Sequence, residues 1–155
     1  MTRILGVGHD LTDIADTARQ LEESGSQFMR LFSSREVRQA RRKVAQKGDD
    51  LARHLAVCWA GKEGVVKAWT EALGETDFPF DLDAFRWSDI EILSNSKGCP
   101  SVCLSQEYEH AVRSSLGLES DECKEVWKIS LTHSRRLASS VVLLCSEPSS
   151  LYNRL

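Results

Sequence analysis

The residues best suited to chemistry lie between Trp59 and Trp69, where Lys62, Glu63 and Lys67 interrupt apolar positions that recur through Leu55, Trp59, Val66 and Trp69. Steps of three and four predict an amphipathic helix, with the charged residues on its narrower edge. Glu63 and Lys67 are four apart, so their side chains can meet on one face. An exposed pair of that kind, worth about 0.3–0.5 kcal/mol, is also what an ordinary solvated helix edge presents. A second carboxylate, Asp10, follows Gly6-Val7-Gly8-His9. Two glycines among apolar residues predict a strand over whose end something approaches closely. A carboxylate there also suits a cap or a turn. His9 alternates to the opposite face from Asp10, so the two are not a metal pair, and a packed or capping role is expected for it. His133 lies in Ser130-Leu131-Thr132-His133-Ser134, on a strand where a histidine can equally be a packing residue.

The pattern W-x-x-K-E-x-x-x-K over Trp59–Lys67 resembles the helix signature of the 4'-phosphopantetheinyl transferases. Gly6 to Leu11 is similar to that family's G-x-G-x-D segment, and Ser130 to Ser134 to its S-x-S/T-H segment. The matches stand in the family's order and span Gly6 to Cys145, as in its short single-domain branch, the holo-acyl-carrier-protein synthases. The resemblance implies transfer of the phosphopantetheine arm of coenzyme A to a serine of an apo-acyl carrier protein or carrier domain, with release of adenosine 3',5'-bisphosphate. It implies Asp10 and Glu63 as ligands of magnesium, and Glu63 or a metal-held water as the base. It places Lys67 at the phosphate or leaving group, Lys62 at another phosphate oxygen and His133 at the nucleotide end of coenzyme A. The assembly it implies is a homotrimer with sites between subunits. Two carboxylates from a strand end and a helix suit magnesium, which keeps waters and completes its shell with substrate phosphates.

Departures from the family pattern favour a second reading, a non-catalytic module that binds coenzyme A or a carrier on the same fold. Cys58 stands where the family commonly has an arginine for the 3'-phosphate of coenzyme A. Gly61 and Gly64 flank Lys62-Glu63, each costing a helix up to about 1 kcal/mol relative to alanine. The helix after the first strand, the family's usual carrier-docking element, is acidic through Asp13, Asp16, Glu22 and Glu23. The next helix is basic instead: Arg35, Arg38, Arg41 and Arg42 largely share a face, continued by Lys43 and Lys47.

A chain of 155 residues is expected to form one domain, residues 1–147 with a C-terminal tail at 148–155. A net charge of -3 predicts no general affinity for nucleic acid. No apolar run approaches membrane-spanning length and no leader pattern is visible, so the expected place is the cytoplasm. The five cysteines lack metal or disulfide spacing and are read as reduced thiols. Along the chain the patterns predict a strand over Arg3–Leu11, a helix over Thr12–Glu23, and a capping box at Ser33 and Glu36 opening the basic helix. They then predict a central helix capped by Asp49 or Asp50 and running to about Leu73. A loop over Gly74–Phe85 should fold Phe78 and Phe80 back onto the core. A hairpin over Trp87–Leu104, a helix from Ser105 to about Gly117, and a last hairpin over Val126–Cys145 complete an α+β domain, a largely antiparallel sheet packed on helices.

Overall fold

A computed structural model of the chain describes residues 1–81, 83–119 and 123–149. Strand β1 (Arg3–Asp13) pairs antiparallel with β5 (Leu137–Pro148), which pairs antiparallel with β4 (Cys123–His133). Strands β2 (Ile90–Ser94) and β3 (Pro100–Leu104) form a separate antiparallel hairpin, so the expected sheet comes as two pieces. Helices α1 (Ile14–Glu22), α2 (Ser34–Lys47), α3 (Leu51–Leu73) and α4 (Gln106–Ser115) complete the α+β fold. The expected tail lies mostly at residues 150–155, outside the described residues.

Helix α3 lies on the inner face of the β1-β5-β4 sheet and is buried around most of its circumference, at Leu55, Ala56, Ala60, Gly61, Val65, Ala68 and Trp69 among others. Its small residues set how near it sits. A Cβ on Gly8 would stand 1.8 Å from the Gly64 carbonyl oxygen, and one on Gly6 2.1 Å from that of Ala68. On the other side of the helix contact, a Cβ on Gly64 would meet the Ser140 Oγ of β5 at 2.6 Å. Glycine is therefore required at Gly6 and Gly8 by the touching backbone of α3, and at Gly64 the packed Ser140 and Val142 side chains of β5 leave no room for a Cβ, which offsets glycine's poor helix propensity. The Ser140 hydroxyl donates to the Ala60 carbonyl at 2.6 Å and fastens the same contact.

Caps fix where the helices begin. Asp13, the last residue of β1, accepts from the Ala15 and Asp16 amides, so the strand runs two residues further than the sequence pattern predicts and α1 starts later. Ser33 and Glu36 form the expected capping box, and Asp50 caps α3 while Asp49 bonds the His54 ring at 2.8 Å. Phe78 and Phe80 pack on Trp69 as expected, with Phe80 stacked on Tyr108 at 4.5 Å between ring centroids. Trp87–Asp89 is a 3-10 turn where a strand is expected, and β4 begins at Cys123 where a loop is expected.

Candidate active site

Alternation along β1 turns Gly6, Gly8 and Asp10 inward and leaves Val7, His9 and Leu11 outside. His9 accordingly stands on the outer face, 3.2 Å from the Ser139 Oγ, and takes no part in the inner cluster. Because Gly8 touches Gly64, the helix edge that follows, Glu63 and Lys67, comes to rest over Asp10. The Lys67 ammonium donates to Asp10 Oδ1 at 2.7 Å and stands 3.8 Å from Glu63 Oε2. Thr12 donates to the other Asp10 oxygen at 3.0 Å. Asp10 is buried, with 7% of its surface exposed, while Lys67 is open to solvent.

Burial works to raise the Asp10 carboxyl, and hydrogen bonds from Lys67 and Thr12 outweigh it, so Asp10 lies below its ordinary value. Glu63 moves the opposite way: burial and the neighbouring Asp10 charge raise it. Two carboxylates pressed together by the fold, with one lysine between them, are a set of hard oxygen donors that a divalent cation would fit. A third acidic, histidine or cysteine ligand is lacking among the described residues, so a bound ion would need waters or ligand oxygens. Asp10 and Glu63 open onto a small cleft of about 170 Å³, lined also by Asp13, Asp16, Phe28 and Trp59. Trp59, one turn before Glu63, also packs on Phe28 and Trp87.

Lys62 is placed elsewhere, against the expectation that it reaches a phosphate. Its side chain is fully buried, with Nζ 2.8 Å from Glu36 Oε2 and donating to the Trp87 and Ile90 carbonyls. Adjacent helix positions differ by about 100°, so a lysine beside Glu63 need not share its edge. Glu36 also accepts from the Ser33 and Ile92 amides, both at 2.9 Å. The capping carboxylate of α2 is thus the centre of a buried network joining α2, α3 and β2. The sequence pattern shows the cap, and the long-range partners come only with the fold.

His133 ends β4 and is exposed. Its register partner is Ala138, itself opposite Thr12, which puts His133 two strands from Thr12 in the same row, about 10 Å away. It does not join the Asp10–Glu63–Lys67 cluster.

Cys58 packs beside the same buried network, its Sγ 3.8 Å from the Ile92 carbonyl oxygen. Burial, with the Glu36 charge adding to it, pushes the thiol up to about 12. An arginine here would bring a second cation close to Lys62. Cys58→Arg is therefore expected to lower the melting temperature and to leave coenzyme A affinity unimproved, read by thermal unfolding and by titration with coenzyme A and its dephospho form. A stable Cys58→Arg variant that gains selectivity for the 3'-phosphate would show that the position opens outward.

A family model of the 4'-phosphopantetheinyl transferase superfamily matches residues 6–132. The holo-[acyl-carrier-protein] synthase of Bifidobacterium animalis subsp. lactis is 43% identical over 144 residues, covering 91% of this chain and 97% of that protein. That of Bifidobacterium adolescentis is 43% identical over 150 residues, covering 91% and 99%. Among solved structures, an ACPS–CoA complex from Chronobacterium ammoniagenes matches with a TM-score of 0.79 and 28% identity, over 95% of this chain and 98% of that one. These matches run from β1 through the Glu63–Lys67 edge of α3 to the end of β4, and the chain belongs to the holo-[acyl-carrier-protein] synthase family of the 4'-phosphopantetheinyl transferase superfamily.

Proposed function

We propose that the chain transfers 4'-phosphopantetheine from coenzyme A to a serine of an apo-acyl carrier protein, releasing adenosine 3',5'-bisphosphate, with Asp10 and Glu63 holding magnesium. The observation that carries this reading is the meeting of Asp10, Glu63 and Lys67 where Gly8 lets β1 touch α3. When bound, magnesium neutralises charge on the pyrophosphate and orients it. The bond formed joins the serine oxygen to the phosphorus of the arm, and the bond broken joins that phosphorus to the departing bisphosphate. Glu63, raised by burial and by Asp10, is the group suited to take the serine proton. Lys67 is open to solvent and one turn from Glu63, so its ammonium can leave Asp10 for a phosphate oxygen of the leaving group. His133, at the exposed end of β4, is assigned to the nucleotide end of coenzyme A.

The assembly proposed is a homotrimer, in the cytoplasm. The outer face of the β1-β5 pair exposes Val7, Leu11, Leu137 and Val141, an apolar patch that a second copy would cover. Among the described residues no helix is long and apolar enough to cross a membrane.

The test is the mass of a panel of apo-acyl carrier proteins after incubation with the chain, coenzyme A and magnesium. One of them is expected to gain a phosphopantetheine group, and chelation should stop the gain. Binding of coenzyme A with no gain on any carrier would instead favour the non-catalytic module.

A further inference from the structure

Asp10 is held by both of its carboxylate oxygens, and the two holders differ in kind. Lys67 reaches Oδ1 at 2.7 Å from α3, at the end of a long side chain that is open to solvent. Thr12 reaches Oδ2 at 3.0 Å from the same strand, two residues on, where alternation returns a side chain to the face of Asp10.

The backbone that carries the Thr12 hydroxyl is anchored on both sides. Thr12 pairs with Ala138 of β5, and the next residue, Asp13, ends the strand by accepting from the Ala15 and Asp16 amides at the start of α1. Branching at Cβ restricts the threonine side chain to few rotamers, and Ala138 opposite brings no polar group to draw the hydroxyl away. Asp10 is buried, so an oxygen left there without a donor would be costly. Of the two donors, the lysine is the one that can leave without the strand moving.

We propose that Thr12 is a positioning residue for the metal site: its hydroxyl keeps Asp10 Oδ2 occupied and the carboxylate turned, so that Oδ1 is the oxygen offered to a divalent cation once Lys67 moves to phosphate. The inference rests on the reading of Asp10 and Glu63 as magnesium ligands, and it deepens that reading by naming what aims Asp10. Residues of this kind touch the ligand and not the ion, and their loss typically weakens metal binding by about 10- to 100-fold.

The experiment measures Mn²⁺ binding, by the spin-resonance signal of the free ion, to the protein with coenzyme A present and against coenzyme A alone. Mn²⁺ stands in for magnesium because both take carboxylate and water oxygens. Thr12→Val keeps the shape of the side chain and removes the hydroxyl, and is expected to bind Mn²⁺ at least about ten-fold more weakly at an unchanged melting temperature. Thr12→Ser keeps a hydroxyl and should bind the ion nearly as the native protein does. Should Thr12→Val unfold early, Thr12→Ala against Thr12→Ser makes the same comparison. Lys67→Met, measured without coenzyme A, should bind Mn²⁺ more tightly than the native protein, because the cation resting on Oδ1 is gone. Adding Thr12→Val to that variant should again weaken binding, which shows that Thr12 acts on Asp10 itself and not by placing the lysine. Equal Mn²⁺ affinity in the native protein and Thr12→Val overturns the proposal. So does an equal loss in Thr12→Ser, which would make the packing of the strand, and not the hydroxyl, the cause. Asp10→Ala tests the underlying reading separately: if it binds Mn²⁺ as the native protein does, Asp10 is no ligand and the metal reading fails, even where phosphopantetheine is still transferred.

Discussion

Asp10→Ala and Glu63→Gln should each lower phosphopantetheine transfer by roughly 10² to 10⁴-fold, the range expected when a proton acceptor or a main electrostatic support of the reacting centre is lost. The two variants should fail differently. Glu63→Gln keeps the side-chain volume and the helix, and removes the group proposed to take the serine proton, so saturating magnesium should not restore its rate. Asp10→Ala frees Lys67 from its 2.7 Å partner and leaves Glu63 as the sole carboxylate of the pair. Its magnesium requirement should therefore shift to higher concentration, and part of its rate should return there. Lys67 is open to solvent, so Lys67→Ala should cost rate with little loss of stability. The measurements are transfer rate against magnesium for each variant, beside thermal unfolding. Full activity of either carboxylate variant at low magnesium would remove Asp10 and Glu63 from the reacting centre.

Strand alternation alone turns Asp10 inward and His9 outward, and the four-residue step alone brings Glu63 and Lys67 together. Nothing local says that the two pairs meet. That follows from Gly8 and Gly64, which the sequence presents only as weak points in a strand and a helix. In the fold they are the places where two backbones touch. At Gly64 a Cβ would run into the Ser140 and Val142 side chains of β5, so glycine flanking Lys62-Glu63 does not mark a decayed site there. At Gly61 a Cβ would meet the Ile92 side chain, its Cγ1 at 2.9 Å, so the helix packs closely on β2 there as well. The basic face of α2 and the cap at Ser33 are legible because they depend on neighbours three or four residues away. The inward turn of Lys62 is not legible, because its acceptors belong to Glu36, Trp87 and Ile90, remote in the chain. The direction in which Cys58 faces is not legible for the same reason. A family pattern gives its place on the helix, and the packing against Ile92 decides which way that place faces.

Lys62→Met should destabilise the protein by about 3–5 kcal/mol, because it strands the Glu36 carboxylate in a fully buried site. In a domain of this size that is a fall of roughly 6–20 °C in melting temperature. Burial drives Lys62 below and Glu36 above their ordinary values, and each is partly held in its charged form by the other. Removing both charges together is thus the gentler change. In Glu36→Gln/Lys62→Met the glutamine oxygen can still accept from an amide of the network, no lone charge remains, and much of the lost stability should return. The double variant also separates two roles for Lys62. A lysine that only holds Trp87 and, through the ring contact of Trp87 with Trp59, the wall beside Glu63 will give back rate as the fold recovers, with an unaltered KM for coenzyme A. A lysine that grips a phosphate oxygen cannot be compensated by changing Glu36. In that case the KM for coenzyme A would stay raised in both the single and the double variant however well the double variant folds, and the buried network would have to open when coenzyme A binds.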